Sequence, residues 1–188
     1  YITEELPIKL RNYFPISSRR EDTFIMGESM GGYGTLHCAL GHPELYSKAV
    51  CLSSGPFDYQ ARVLPEYYQD EAGLLDPSKQ DPIGRSYKSY LGIYGTPEEY
   101  DASDNNIYNL VEKLKKTPSL PEIIFYCGTE DANYPNSMKF ENHLRRSLPT
   151  MCVKSEYWHG EHNFFFWNQA IPKALREFGF EVVQNSVI

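Results

Sequence analysis

Long apolar runs are absent from this 188-residue chain, and so are clusters of basic residues. No stretch reaches the roughly 20 apolar residues that a helix needs to span a bilayer, so we expect no membrane partner. The net charge is −7, and no basic run is longer than Arg19-Arg20 or Lys115-Lys116. This charge pattern also argues against a nucleic-acid partner or an anionic membrane surface.

Cysteine is scarce and shows no C-x-x-C spacing. The four residues are Cys38, Cys51, Cys127 and Cys152. Three fall in predicted strands and one in a predicted helix, which predicts buried free thiols rather than a disulfide framework or a zinc site. We therefore expect no metal and no cofactor. The composition leaves the compartment open and is compatible with a homo-oligomer.

Four short segments that are apolar or β-branched predict the strands of a parallel sheet. They are residues 23–27, 48–53, 122–128 and 152–158. Helical patterns precede, separate or follow them at residues 3–13, 31–41, 105–116, 135–148 and 164–178. This alternation predicts an α/β fold with a mostly parallel sheet and helices on both faces.

Residues 57–100 differ from the rest of the chain. They are rich in Tyr, Pro, Gly and Asp and have weak periodicity. We expect a single domain over residues 1–188, with this stretch as an insertion that forms a lid, a substrate pocket or a structural loop region. Its aromatic residues are candidates to stack on a sugar or phenolic ring: Phe57, Tyr59, Tyr67 and Tyr68.

The pentapeptide Gly27-Glu28-Ser29-Met30-Gly31 lies between a predicted strand and a predicted helix and is followed by Gly32. G-x-S-x-G in this context predicts a nucleophile elbow, a strand-to-helix turn that strains the serine backbone. We expect a Cβ on either flanking glycine to clash there. The Ser29 hydroxyl would then stand at the helix N-terminus, where the Met30 backbone N–H can stabilise an oxyanion.

A serine nucleophile needs a base to take its proton and an acid to hold that base in place. Ser29 comes just after the first predicted strand, Asp131 just after the third and His162 just after the fourth. The carboxyl ends of parallel strands meet at one edge of the sheet, so these side chains can converge there. Their order along the chain is that of the α/β hydrolases.

Two of these assignments have rivals in the sequence. Glu130 and Asp58 are rival acids, and His159 is a rival base only three residues before His162. His162 is preferred because the aromatic run 164–167 after it can anchor the next helix. The spacing of the two histidines also fits a metal pair, but the sequence offers no third ligand. The remaining histidines lie within or beside predicted helices: His37, His42 and His143.

Several segments together resemble the serine esterases of the esterase D-like group, which includes tributyrin, feruloyl and acetylxylan esterases and S-formylglutathione hydrolases. They are Glu4-Glu5-Leu6-Pro7, Arg20-Glu21-Asp22, residues 27–34, Leu52-Ser53-Ser54-Gly55, residues 128–131 and residues 160–164. The resemblance covers nearly the whole chain. It implies an α/β-hydrolase fold with Ser29 as nucleophile, His162 as base and Asp131 as orienting acid.

Two departures from that group stand out. Its N-terminal region, with a His-Gly oxyanion motif, has no counterpart here, so we expect this chain to be the carboxyl-terminal two-thirds of an enzyme whose N-terminal strands lie elsewhere. The histidine loop carries Asn163-Phe164 where acidic and tryptophan residues are common in the group.

The expected function is hydrolysis of short-chain acyl or aryl esters, through an acyl-enzyme formed on Ser29. Acetyl or feruloyl esters of plant polysaccharide are further candidate substrates, so the partner is a small-molecule or polysaccharide ester. A different class of function is also open: a non-catalytic α/β-hydrolase-fold module that binds carbohydrate or another partner.

Overall fold

A four-stranded parallel sheet, in the order β1-β2-β3-β4, organises the computed structural model, which describes residues 1–71 and 87–182. The strands are β1 Phe24–Glu28, β2 Lys48–Leu52, β3 Glu122–Gly128 and β4 Val153–Trp158. Phe24 pairs with Lys48, Lys48 with Glu122, and Ile123 with Val153. The predicted strands and their parallel arrangement are confirmed.

Five helices match the predicted helical patterns: α1 Glu5–Tyr13, α2 Met30–Gly41, α7 Ile107–Leu114, α8 Tyr134–Ser147 and α9 Phe164–Glu177. Four more were not foreseen: α3 Tyr59–Arg62, α4 Leu64–Glu71, α5 Tyr87–Tyr94 and α6 Pro97–Ala102. They have eight residues or fewer, too short for a helical period to stand out in the sequence. Across residues 1–71 and 87–182, no helix has the length and apolar character to span a membrane.

Both faces of the sheet are covered, as predicted. On one face, α9 packs Phe166, Trp167, Ala170 and Ala174 onto a cluster with Val50, Leu52, Ile124 and Tyr126. On the other face, a Cβ added at Gly32 of α2 would lie 3.2 Å from Cys51 Sγ. The Phe125 ring meets Phe140 of α8 edge-on on that side, with centroids 6.4 Å apart. These two layers bury the alternating side chains of β2 and β3.

Chain contacts divide the molecule into two units, Tyr1–Pro56 with Leu110–Ile188, and Phe57–Asn109. The sheet, α2, α8 and α9 belong to the first unit. The predicted insertion at 57–100 falls within the second unit, and residues 72–86 lie outside the described residues.

Aromatic side chains form the core of the second unit. Tyr59 is 3% exposed, stacks on Tyr100 at 4.3 Å and donates its hydroxyl to the Gly95 carbonyl at 2.7 Å. Phe57 stacks on Tyr94 at 4.0 Å. Burial raises the pKa of Tyr59 to about 12. The expectation that Tyr59 is available for a substrate ring is therefore wrong, because packing within the unit uses its faces.

The four thiols are free, but they are not equally buried. Cys51 and Cys127 are buried in strands, and Cys38 of α2 is half-buried. Cys152 is exposed and precedes β4, so its prediction as a buried strand residue is wrong. Its carbonyl still accepts the Ile123 N–H at 3.0 Å. The backbone thus joins the sheet edge while the side chain remains outside the core.

Candidate active site

Ser29 occupies a strained turn between β1 and α2. Its φ and ψ are 53° and −121°, outside the regions that residues with a side chain usually adopt. Three backbone hydrogen bonds hold it there. The Ser29 N–H donates to the Leu52 carbonyl at 3.0 Å, and its own carbonyl accepts from the N–H groups of Gly32 and Tyr33 at 3.0 and 3.3 Å. The turn has the backbone strain expected of a nucleophile elbow.

The glycines around Ser29 do not share one role. A Cβ at Gly27 would lie 2.3 Å from the Gly31 carbonyl oxygen, as the expected clash requires. A Cβ at Gly31 would meet nothing within 4 Å, so the same expectation is wrong there. Gly32 instead faces β2, where a Cβ would lie 2.6 Å from Ser54 Cβ. The first turn of α2 rotates Gly31 away from the strand and Gly32 towards it.

The three side chains at the ends of β1, β3 and β4 meet. His162 Nε2 lies 2.9 Å from Ser29 Oγ, and His162 Nδ1 lies 2.9 Å from Asp131 Oδ2. An ionised carboxylate only accepts, so the Nδ1 position carries the hydrogen and Nε2 accepts from the Ser29 hydroxyl. The imidazole is therefore in the tautomer that can receive the serine proton.

Asp131 is an ionised carboxylate with no exposed side-chain surface. Burial acts to raise its pKa, but hydrogen bonds outweigh that effect and hold the pKa below its usual range. Two of these hydrogen bonds come from His162 Nδ1 at 2.9 Å and from the backbone N–H of Asn133 at 2.8 Å. Asp131 thus keeps its charge beside the histidine.

The rival acid and the rival base pair with each other. Glu130 Oε1 lies 3.1 Å from His159 Nδ1, and Glu130 Oε2 accepts the Gly160 N–H at 2.6 Å. The Gly160 hydrogen bond makes the largest contribution to lowering the pKa of Glu130 to about 2, and the hydrogen bond from the Thr129 hydroxyl contributes less. The pair joins the loop after β3, which carries Glu130, to the loop after β4, which carries His159. The His159 side chain is 91% exposed.

Asp58 and the three histidines outside this loop have local roles. Asp58 caps α3 by accepting the Ala61 N–H at 3.0 Å. His42 lies 3.4 Å from Glu44, and burial lowers the pKa of His143 in α8. His37 contacts Tyr33 on α2. Among residues 1–71 and 87–182, no three His, Cys, Asp or Glu side chains are grouped to hold a metal ion.

Asn163 sets the position of the histidine loop. Its side chain accepts the Phe166 N–H at 3.1 Å and caps α9, so the helix begins two residues after His162. Four residues into that capped turn, Trp167 meets the His162 ring edge-on, with centroids 5.1 Å apart. The departure noted in the sequence at residue 163 therefore supplies a helix cap.

The sequence analysis did not identify two residues beside the site, Ser53, which contacts Asn133, and Trp167, which contacts His162. Ser53 follows β2, is fully buried and has a φ of 51°. Trp167 donates its indole N–H to Ser53 Oγ at 3.0 Å. No local signal marks this pair, because 114 residues separate the two along the chain.

Gly27→Ala and Gly31→Ala form a matched pair that tests the turn. Gly27→Ala forces the clash with the Gly31 carbonyl and should destabilise the fold by about 1–3 kcal/mol. Gly31→Ala places its methyl group in open space on a helix and should stabilise the fold by up to about 1 kcal/mol. Urea unfolding of both variants measures the difference, and equal effects would contradict the assignment.

The charge on Asp131 should appear in the pH dependence of stability. The pKa of Asp131 in the folded protein lies below the unfolded value of about 3.9. The stabilisation that the ionised carboxylate gives the folded state is therefore fully present above that value. It is lost as the pH falls through the lower folded pKa. Asp131→Asn cannot titrate and should lose less unfolding free energy than the wild type between about pH 6 and about pH 2. An equal loss, measured by urea unfolding, would contradict this.

Comparison with known proteins agrees with this geometry. The esterase family model matches residues 1–178. An acetyl esterase of Caldicellulosiruptor saccharolyticus is 30% identical over 176 residues, which cover 93% of this chain and 61% of the relative.

Two solved Staphylococcus aureus structures share the fold. Substrate-bound FphF, a fluorophosphonate-binding serine hydrolase, has a TM-score of 0.72 at 26% identity, with 94% of this chain and 61% of that chain covered. The S-formylglutathione hydrolase FrmB, as apoenzyme, has a TM-score of 0.64 at 25% identity, with 92% and 57% covered. The chain thus spans 57% to 61% of the length of these three relatives. With its match over residues 1–178 and its α/β-hydrolase fold, it belongs to the esterase family.

Proposed function

We propose that this protein is a serine carboxylic ester hydrolase that works through an acyl-enzyme. The observation that carries the proposal is the continuous chain of 2.9 Å contacts from Ser29 Oγ through His162 to Asp131. A strained serine, a base in the receiving tautomer and a buried ionised acid together make an activated nucleophile.

In the first half of the reaction, Ser29 Oγ attacks the ester carbonyl carbon while its proton passes to His162 Nε2. The tetrahedral oxyanion lies at the N-terminus of α2, where we assign the Met30 backbone N–H as a donor. When the intermediate collapses, the bond to the alcohol oxygen breaks. The imidazolium returns its proton to that oxygen, and the alcohol leaves an acyl group on Ser29.

Water completes the cycle. His162 Nε2 takes a proton from the water as its oxygen adds to the acyl carbon, and the second tetrahedral intermediate releases Ser29 Oγ. The proton then returns to the serine, so one ester and one water give one acid and one alcohol. Asp131 stays ionised throughout and stabilises the imidazolium in both halves.

Short-chain acyl esters are the proposed substrates. The acetyl esterase similarity, over 93% of this chain, supports a small acyl group. Support for a feruloyl group is weaker, since Tyr59 of the predicted aromatic surface is buried. Within the second unit, Tyr68 keeps an exposed ring.

A fluorophosphonate probe and an ester assay test the proposed roles. Ser29→Ala should form no adduct, and its hydrolysis of 4-nitrophenyl butyrate should fall about 10⁴-fold or more. His162→Gln should show a similar loss, because it leaves the serine proton without an acceptor. His159→Gln is the matched control and should keep nearly full activity, since that side chain pairs with Glu130 and is solvent-exposed.

Intact mass before and after the probe, followed by digestion, locates the adduct. Activity that survives Ser29→Ala would overturn the proposal, and so would a wild-type chain that forms no adduct. Binding of xylan oligomers without turnover, unchanged in Ser29→Ala, would instead support the non-catalytic module.

A substrate comparison tests the acyl preference. We expect faster hydrolysis of 4-nitrophenyl butyrate and acetylated xylan than of methyl ferulate, because the second unit packs its aromatic faces against one another. The comparison uses kcat/KM under one set of conditions, with Ser29→Ala as the blank. A preference for methyl ferulate would contradict the small-acyl assignment.

A further inference from the structure

The loops that follow β3 and β4 lie against each other at the level of the backbone. The two strands pair as far as Gly128 and Trp158. Beyond that pair, the Thr129 N–H donates to the Trp158 carbonyl at 2.9 Å. The Glu130 N–H then donates to the Gly160 carbonyl at 3.1 Å. A Cβ at Gly128 would overlap the Gly160 carbonyl oxygen, so glycine at this position allows the close approach.

The Glu130 side chain adds a second hydrogen bond to Gly160. Glu130 Oε2 accepts the Gly160 N–H at 2.6 Å, so one residue bonds both backbone polar groups of Gly160. The Thr129 hydroxyl donates to the other oxygen, Glu130 Oε1, at 2.8 Å. Hydrogen bonds from a backbone N–H to an ionised carboxylate are roughly twice as strong as those between neutral groups. The Glu130 carboxylate therefore holds the loop after β4 against the loop after β3.

His162 lies between two fixed points of the loop after β4. Gly160 is two residues before it, and Asn163, directly after it, caps α9. On the opposite loop, Glu130 directly precedes Asp131. The bonds to Gly160 thus set the separation of the loops, on which the 2.9 Å contact between His162 Nδ1 and Asp131 Oδ2 depends. A misplacement of about 1 Å in a site of this kind can cost about 10²-fold in rate.

We propose that Glu130 is a positioning residue, whose carboxylate holds Gly160 and so keeps His162 in line with Asp131. Its carboxylate is bonded to a backbone N–H rather than to the reacting atoms, so it is not a catalytic residue. The proposal rests on the proposed function, because Glu130 acts through His162 on Ser29.

Three substitutions at residue 130 separate the reach of the side chain from its charge. Glu130→Gln keeps the length and an oxygen that can accept the Gly160 N–H, but it removes the charge. Glu130→Asp keeps the charge, but it is one methylene shorter and falls short of that N–H. Glu130→Ala removes both. The Glu130 side chain is 43% exposed, so none of the three leaves a cavity in the core.

The measured quantity is the rate constant for the reaction of Ser29 with the fluorophosphonate probe. We expect a loss of about 10-fold in Glu130→Ala and Glu130→Asp, and a smaller loss in Glu130→Gln. With 4-nitrophenyl butyrate, kcat should fall with little change in KM, because Glu130 does not bind the substrate.

Two outcomes of these rate measurements would overturn the proposal. One is a wild-type rate in Glu130→Ala. The other is a loss in Glu130→Gln as large as in Glu130→Ala, which would mean that the charge of the carboxylate acts on His162 and that its reach does not matter. If Glu130→Ala fails to fold, the order of Glu130→Gln and Glu130→Asp decides the question.

His159→Gln is the matched control. It removes the 3.1 Å ion pair with Glu130 Oε1 but leaves the Gly160 hydrogen bond in place. An ion pair with a side chain that is 91% exposed contributes little, so we expect a rate near that of the wild type. A loss as large as in Glu130→Ala would assign the effect to the ion pair and overturn the role of the Gly160 bond.

A proton NMR signal tests the geometry without labelling or turnover. The His162 Nδ1 proton, shared with Asp131, should give a signal that is absent in His162→Gln. Glu130→Ala and Glu130→Asp should shift or broaden this signal, whereas His159→Gln should leave it unchanged. An unchanged signal in Glu130→Ala would overturn the positioning role. A wild type that shows the signal but forms no adduct would contradict only the ester hydrolase proposal.

Discussion

The buried charge of Asp131 is the constraint on which the site depends. An ionised carboxylate without exposed surface is costly unless hydrogen-bond donors surround it. Two of those donors come from separate strand ends: the Asn133 N–H after β3 and His162 Nδ1 after β4. The carboxylate therefore requires the parallel register of these strands, and His162 obtains its orientation and tautomer from the same arrangement.

Backbone strain is also concentrated at the ends of the strands. Ser29 and Ser53 are the two non-glycine residues with positive φ within residues 1–71 and 87–182, and they stand at the ends of adjacent strands. The Ser29 N–H bonds the Leu52 carbonyl, one residue before Ser53. The sheet thus links the turn that contains Ser29 to the turn that contains Ser53, and backbone strain of this kind is common at functional sites.

Several predictions were wrong for tertiary reasons. An aromatic residue such as Tyr59 in an irregular segment is also typical of a ligand-binding surface. In the fold, however, its ring stacks on Tyr100 and its hydroxyl donates to the Gly95 carbonyl. Gly31 fits the motif, yet the rotation of α2 makes Gly32 the glycine that faces β2. Cys152 bonds to the sheet through its carbonyl, but its side chain is exposed. Motif position and residue type do not specify which way a side chain points.

The sequence by itself determined the alternating strands and helices, the parallel sheet and the three strand ends where chemistry could gather, because periodicity and turn residues are local properties. It favoured Asp131 over Glu130 and His162 over His159, but local patterns could not show which acid and which histidine lie beside Ser29. Tertiary structure decided that: Glu130 and His159 pair outside, while Asp131 and His162 align with Ser29. It also brought Trp167 to Ser53. Such contacts join distant parts of the chain, so they exist only once β2, β3, β4 and α9 have packed together.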